Sequence, residues 1–143
     1  MKEELPVQEV VIIIIQEKDK FLFQKNPKWN DLSFIGGKID PTDSSPIEAA
    51  YRECGEELEI QRDTDYVLEP MEHYLYEEQK MSKRTGKVTH YKFYSFRMTI
   101  KKDISEKLNA EGNVWMKKED ISHPEATIKL SEIVQTVFPI LEL

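Results

Sequence analysis

The sequence predicts an α+β fold, a mixed β-sheet covered by helices, and three observations point to it. Residues 10–15 form a continuous β-branched run, the pattern of a strand covered on both faces. Strand-like segments lead into and follow a central amphipathic helix over Pro46–Leu58. A second segment of helical spacing closes the chain, so the sheet has helices to cover it.

The elements follow in order. After the first strand, the polar stretch 16–20 turns the chain and Phe21, Leu22 and Phe23 read as a return strand. A loop at Asn26 and Pro27 precedes a short apolar strand, 32–35, which ends at Gly36 and Gly37. Asp43, Ser44, Ser45 and Pro46 make a helix start, an oxygen-bearing cap followed by proline in the first turn. Two β-prone segments, 66–76 and Val88–Ile100, flank a turn over 83–87, a hairpin in which Gly86 supplies positive φ. Val114, Trp115 and Met116 form a further short strand. Leu130, Ile133, Val134, Val137 and Phe138 carry the closing helix, whose last turn Pro139 disturbs.

The chain has 143 residues, the size of one compact domain, and shows no repeat, low-complexity segment or linker. Acidic residues outnumber basic ones 27 to 20, for a formal net charge of −7. That balance argues against a nucleic-acid partner, which needs a basic footprint. An anionic small molecule remains compatible if a cation bridges the two negative charges. A lone cysteine, Cys54, excludes an intrachain disulfide and suits a reducing cytoplasm. The first four residues are acidic on balance, and the apolar run 10–15 is too short for a signal segment or membrane span. A cytoplasmic protein without a membrane partner is expected.

Projected on a helical wheel, Ile47, Ala50, Tyr51, Cys54 and Leu58 fall on one stripe that packs on the sheet. Glu53, Glu56 and Glu57 cluster on another face, with Arg52 beside them, one turn from both Glu48 and Glu56. Exposed glutamates with Glu48–Arg52 and Arg52–Glu56 pairs would make an ordinary solvated face, each pair contributing about 0.3–0.5 kcal/mol. Yet like charges at this spacing repel, and Glu56 and Glu57 sit towards the negative end of the helix dipole. A bound divalent cation offsets both penalties, and hard carboxylate ligands suit Mg²⁺ or Mn²⁺.

Gly36, Gly37 and Lys38, then Asp43, then Arg52, Glu53, Glu56 and Glu57 together resemble the Nudix box, the loop–helix–loop signature of the Nudix hydrolases. The Arg-Glu-x-x-Glu-Glu core is intact. Asp43 replaces the first glutamate of the pattern, and eight residues instead of seven separate it from Arg52. The extra residue is expected in the loop around Ser44 and Ser45. Glu59 stands where the pattern has glycine; a left-handed conformation there would cost roughly 1 kcal/mol.

The resemblance implies an α/β/α sandwich and a hydrolase that cuts a phosphoanhydride bond in a nucleoside diphosphate linked to another moiety. It implies that Glu53, Glu56 and Glu57 hold one or more Mg²⁺ ions (or Mn²⁺), helped by a main-chain carbonyl near Gly37, and that Arg52 orients Glu53. Lys38 is either a phosphate contact or an exposed loop lysine. Glu111 is either an extra carboxylate ligand or base, or a surface residue. Tyr76 is the first of several strand aromatics to consider for stacking on a base, against a plain core role. Lys80, Lys83, Arg84 and Lys87 are expected to be solvated turn residues. The partner implied is a small-molecule nucleotide, and the family's dimers make a homodimer a further expectation. The competing reading is a nucleotide-binding or regulatory domain that has lost catalysis. Removal of diphosphate from an RNA 5′ end fits the acidic balance less well.

Overall fold

A computed structural model describes residues 5–125 and 127–143, so the acidic start at 1–4 lies outside the described residues. Seven strands form one sheet: β1 (Val7–Ile14), β2 (Gln16–Glu17), β3 (Lys20–Asn26), β4 (Asp31–Lys38), β5 (Tyr66–Met81), β6 (Val88–Ile100) and β7 (Asn113–Lys117). The order is β2-β3-β4-β1-β6-β5, with β7 off this path and paired to β3. β1 runs parallel to β6, while the other pairs are antiparallel, so the sheet is mixed as expected.

The β-branched run of β1 explains why the sheet has a core on each face. Val11, Ile13 and Ile15 point into one cluster with Ala49, Ala50, Cys54 and Leu58 of helix α1 (Pro46–Leu58). Ile12 and Ile14 point the other way, into a cluster with Val134, Val137 and Phe138. Those three belong to helix α4 (Glu132–Ile140). Fully burying side chains of this size contributes roughly 1.5–3 kcal/mol each. The result is the α/β/α sandwich. Two short helices carried no sequence signal of their own: α2 (Ser105–Leu108) lies between β6 and β7, and α3 (Lys118–Ser122) between β7 and α4.

The boundaries follow the punctuation in the sequence. Ser45 caps α1, its hydroxyl accepting from the Glu48 N–H at 3.4 Å, and Pro46 opens the first turn. The inserted residue is therefore accommodated before the helix. Ser131 caps α4 in the same way, and Pro139 sits in the last turn. Gly86 has φ +71° in the β5–β6 turn. β5 runs on to Met81, beyond the predicted segment, because β6 pairs with it up to Met81 and Val88. Among the described residues no helix is long and apolar enough to cross a membrane.

Candidate active site

α1 and the end of β4 build the acidic part of the site. β4 pairs with β1 through Ile12 with Gly36 and Val11 with Gly37. Gly36 has φ +147°, and a side chain there would collide with the Val11 carbonyl, so only glycine allows that pairing. Gly37 leaves room for Glu53: a Cβ at Gly37 would lie 2.5 Å from Glu53 Oε1 and 2.7 Å from its Cδ.

Glu53 consequently departs from the expected exposed face. It is only 7% exposed, tucked between helix and strand, because its helical position borders the apolar stripe and Gly37 leaves a niche. Burial pushes its carboxyl above the usual range, opposed by Arg52 and reinforced by the charges of Glu56 and Glu57. Glu56 and Glu57 remain exposed.

Arg52 organises this cluster, with a correction to the pairing expected from helix spacing. Its Nε donates to Asp43 Oδ1 at 3.0 Å and its Nη2 to Asp43 Oδ2 at 3.0 Å, a two-point fork. Nη1 reaches Glu53 Oε1 at 3.2 Å and Glu56 Oε2 at 3.2 Å, and Nη2 also donates to the Lys38 carbonyl at 3.0 Å. The Arg52–Glu56 pair is thus present, but Glu48 turns away to Arg62, 2.6 Å from its Nη1. Asp43, standing where the family pattern has glutamate, ties Arg52 to the loop and also accepts from the Asp40 N–H at 2.8 Å. The Arg52 guanidinium holds the Asp43 carboxyl below the ordinary carboxylate value. Glu59 ends the helix at φ +55°, ψ +42°, the left-handed conformation that its glycine-like position requires.

A cleft of about 470 Å³ opens beside this cluster, lined by Gly36, Asn26 and Ser33 and by two carboxylates, Glu57 and Glu111, against one cation, Lys25. Glu111, from the turn before β7, therefore faces the same space as Glu57. Asn26 and Ser33 also line a second space, a groove of about 360 Å³ bounded by the β3–β4 loop, the β5–β6 hairpin tip and the start of α4. Cations and aromatic rings dominate there: Lys28, Lys38, Lys83 and Arg84 with Trp29 and Tyr91. Partial burial and the neighbouring Arg84 and Lys28 lower the Lys38 ammonium below its ordinary value. Lys38 is the last residue of β4, exposed and lining the groove.

One expectation is corrected. Tyr76 does not line the groove. Register places it opposite Phe93, with ring centroids 6.2 Å apart, and its hydroxyl donates to Glu78 at 2.9 Å. Tyr91 and Phe93 hold the position beside the groove instead. Lys83, Arg84 and Lys87 are exposed, as expected of solvated turn residues, and Lys80, Lys83 and Arg84 in addition line the groove. Lys28 and Trp29 were missed; a lysine–tryptophan pair in a loop after a strand was the signal available.

Among the described residues, no three His, Cys, Asp or Glu side chains converge as a ready-made cage for a metal ion. Glu53 and Glu56 turn to Arg52 instead. The donor set nevertheless fits a hard divalent cation: oxygen ligands only, three carboxylates on one helix, and a glycine niche that a side chain would fill. Burial and, after it, the charges of Glu56 and Glu57 raise the Glu53 carboxyl, and such an ion relieves the crowding of charge.

Comparison with known proteins bears on the family and the fold. Comparison with curated protein sequences returns no match. Among solved structures, the MutT protein of Methanosarcina mazei is similar with a TM-score of 0.66 at 20% identity, covering 99% of this chain and 96% of that one. The mutator MutT protein of Bacillus halodurans gives 0.62 at 19% identity, over 95% and 83% of the two chains. The ORF135 protein of E. coli gives 0.55 at 25% identity, over 96% and 88%. The sequence profile of the NUDIX domain matches residues 5–137. The chain belongs to the Nudix family, hydrolases of pyrophosphate bonds.

Proposed function

We propose that this protein is a divalent-metal-dependent hydrolase that cleaves a phosphoanhydride bond in a nucleoside diphosphate linked to another moiety. In this reading Glu53, Glu56, Glu57 and the Gly37 carbonyl hold Mg²⁺ or Mn²⁺, and Glu111 adds a carboxylate from across the cleft. The observation that carries it is the juxtaposition of two opposite ends. An acidic cleft with Glu57 and Glu111 adjoins a cationic, aromatic groove, the two sharing Asn26 and Ser33. One end suits a cation and the other a phosphorylated nucleotide.

The side chains divide the work. Such an ion supplies neutralisation of phosphate charge and a lowered pKa for water beside it. Arg52 fixes the Glu53 carboxylate from one side while Gly37 fixes it from the other. With its affinity for protons raised by burial, Glu53 is suited to accept one from water. Lys38 reaches phosphate oxygens from the strand end. The buried thiol of Cys54, pushed up to about 12 by burial, takes no part and suits a reducing cytoplasm.

The test is a panel of nucleoside triphosphates, dinucleoside polyphosphates, nucleotide sugars and ADP-ribose, with Mg²⁺ or Mn²⁺ and product identification. Hydrolysis at a pyrophosphate bond in at least one compound, abolished by EDTA, is expected. Binding without hydrolysis across the panel would instead mark a nucleotide-binding domain.

A further inference from the structure

The charge of the groove opposes that of the chain carrying it. Against a formal net charge of −7, five cations line this one space: Lys28, Lys38, Lys80, Lys83 and Arg84. The lining holds two carboxylates, Asp31 and Glu132. Lys80 is compensated, 3.1 Å from Glu78 and 3.7 Å from Glu132. Among the described residues the other four make no ion pair. Like charges gathered without partners repel, and an anionic ligand relieves that repulsion.

The arrangement is built from separate parts of the fold. Lys28 comes from the β3–β4 loop, Lys38 from the end of β4, and Lys83 and Arg84 from the β5–β6 turn. Trp29 ties loop to hairpin, with Lys28 Nζ 5.0 Å and Lys83 Nζ 5.3 Å from its ring centre. These cations line a different compartment from Glu57 and Glu111. The cleaved pyrophosphate is served by an ion at the acidic end and by Lys38 where β4 ends in the groove, so Lys28, Lys83 and Arg84, from the β3–β4 loop and the β5–β6 turn, answer to negative charge farther along the ligand.

We propose that the groove binds a second phosphate group of the substrate, remote from the pyrophosphate that is cleaved. It thereby selects nucleotide compounds phosphorylated at the far end over those whose far end is neutral. This rests on the acidic cleft being the cleavage end. A volume of about 360 Å³ suits a mononucleotide-sized group more than a polynucleotide strand.

Calorimetric titration of the metal-free protein in EDTA favours the groove, because the cleft without an ion sets two carboxylates, Glu57 and Glu111, against Lys25 alone. Adenosine 3′,5′-bisphosphate is expected to bind at least about tenfold tighter than AMP, the effect of one added charge-assisted contact. The double substitution K83Q/R84Q, in an exposed turn, should bring the two ligands within about threefold of each other. Equal affinity in the wild type, no binding of either ligand, or a preference that survives the double substitution overturns the proposal. Failure of hydrolysis across the nucleotide panel, extended by a nucleoside diphosphate conjugate that carries a phosphate at its far end, with the binding preference intact, overturns the hydrolase reading and leaves the groove's preference for a second phosphate standing.

Discussion

The Glu53 carboxylate rests against the α-carbon of Gly37, leaving no space for even a methyl group between helix and strand. That contact joins a backbone requirement on β4 to the placement of an acidic side chain on α1. Substituting Gly37→Ala puts a carbon 2.5 Å from Oε1, and the carboxylate must move. A loss of about 1–3 kcal/mol in stability is expected from overpacking, measured by denaturant unfolding. Turnover should fall at least about tenfold, since small misplacements at a reacting centre are costly. Full activity in this variant would mean that the niche does not position Glu53.

Asp43 is expected to act through Arg52. Asp43→Asn removes the charge from the two-point fork while keeping its shape. Turnover, or the apparent affinity for Mg²⁺, should weaken by about 10–100-fold, the usual effect of disturbing a partner of a ligand. A rise in the Mg²⁺ concentration giving half-maximal rate separates this role from simple support of the loop. A variant that only melts earlier, with an unchanged Mg²⁺ dependence, contradicts it.

Glu59 stores strain at the end of α1, since its φ of +55° is unfavourable for a residue with a Cβ. Glu59→Gly should raise stability by about 0.5–1 kcal/mol, read from the denaturation midpoint at an unchanged m-value. Its ion pair with Lys107 spans 3.7 Å between exposed side chains and adds little against that gain.

Much of this was legible locally. Ser45 and Pro46 announce the start of α1, and the β-branched run of β1 announces a strand with helices over both faces. The spacing of Glu53, Glu56 and Glu57 marks the acidic cluster. What local spacing cannot carry is competition from distant partners. Arg62, beyond the helix, takes Glu48, and Asp43, before it, takes Arg52, so the expected Glu48–Arg52 pair never forms. The burial of Glu53 depends on a glycine in a strand, which no helical wheel contains. The groove was least legible of all. Trp29 and Lys83 meet only because the fold brings the β3–β4 loop and the β5–β6 turn to one groove.

Acid should weaken the fold in a defined direction. The Gln61 N–H, donating at 2.8 Å, and Lys102, 3.2 Å away, hold the Asp65 carboxyl below its ordinary value. Arg52 does the same for Asp43. Both are ionised more readily in the folded chain, so their stabilisation is complete above the unfolded value of about 3.9 and is lost as pH falls through the lower folded values. Unfolding of wild type and Asp65→Asn followed from neutral pH downward should show a stability gap that closes in acid. A gap constant with pH would remove ionised Asp65 as its cause.

The most direct measurement compares turnover of wild type and Glu57→Gln on whichever pyrophosphate compound the panel identifies, each at saturating Mg²⁺ and in EDTA. Glu57 is exposed and lines the acidic cleft, so its amide leaves the fold intact while removing one charged oxygen ligand. The wild-type rate should depend on the ion, and the variant should fall by about a hundredfold or more with an unchanged unfolding midpoint. Turnover that persists in EDTA, or a Glu57→Gln rate equal to wild type, would contradict a metal-holding role for the carboxylates of α1.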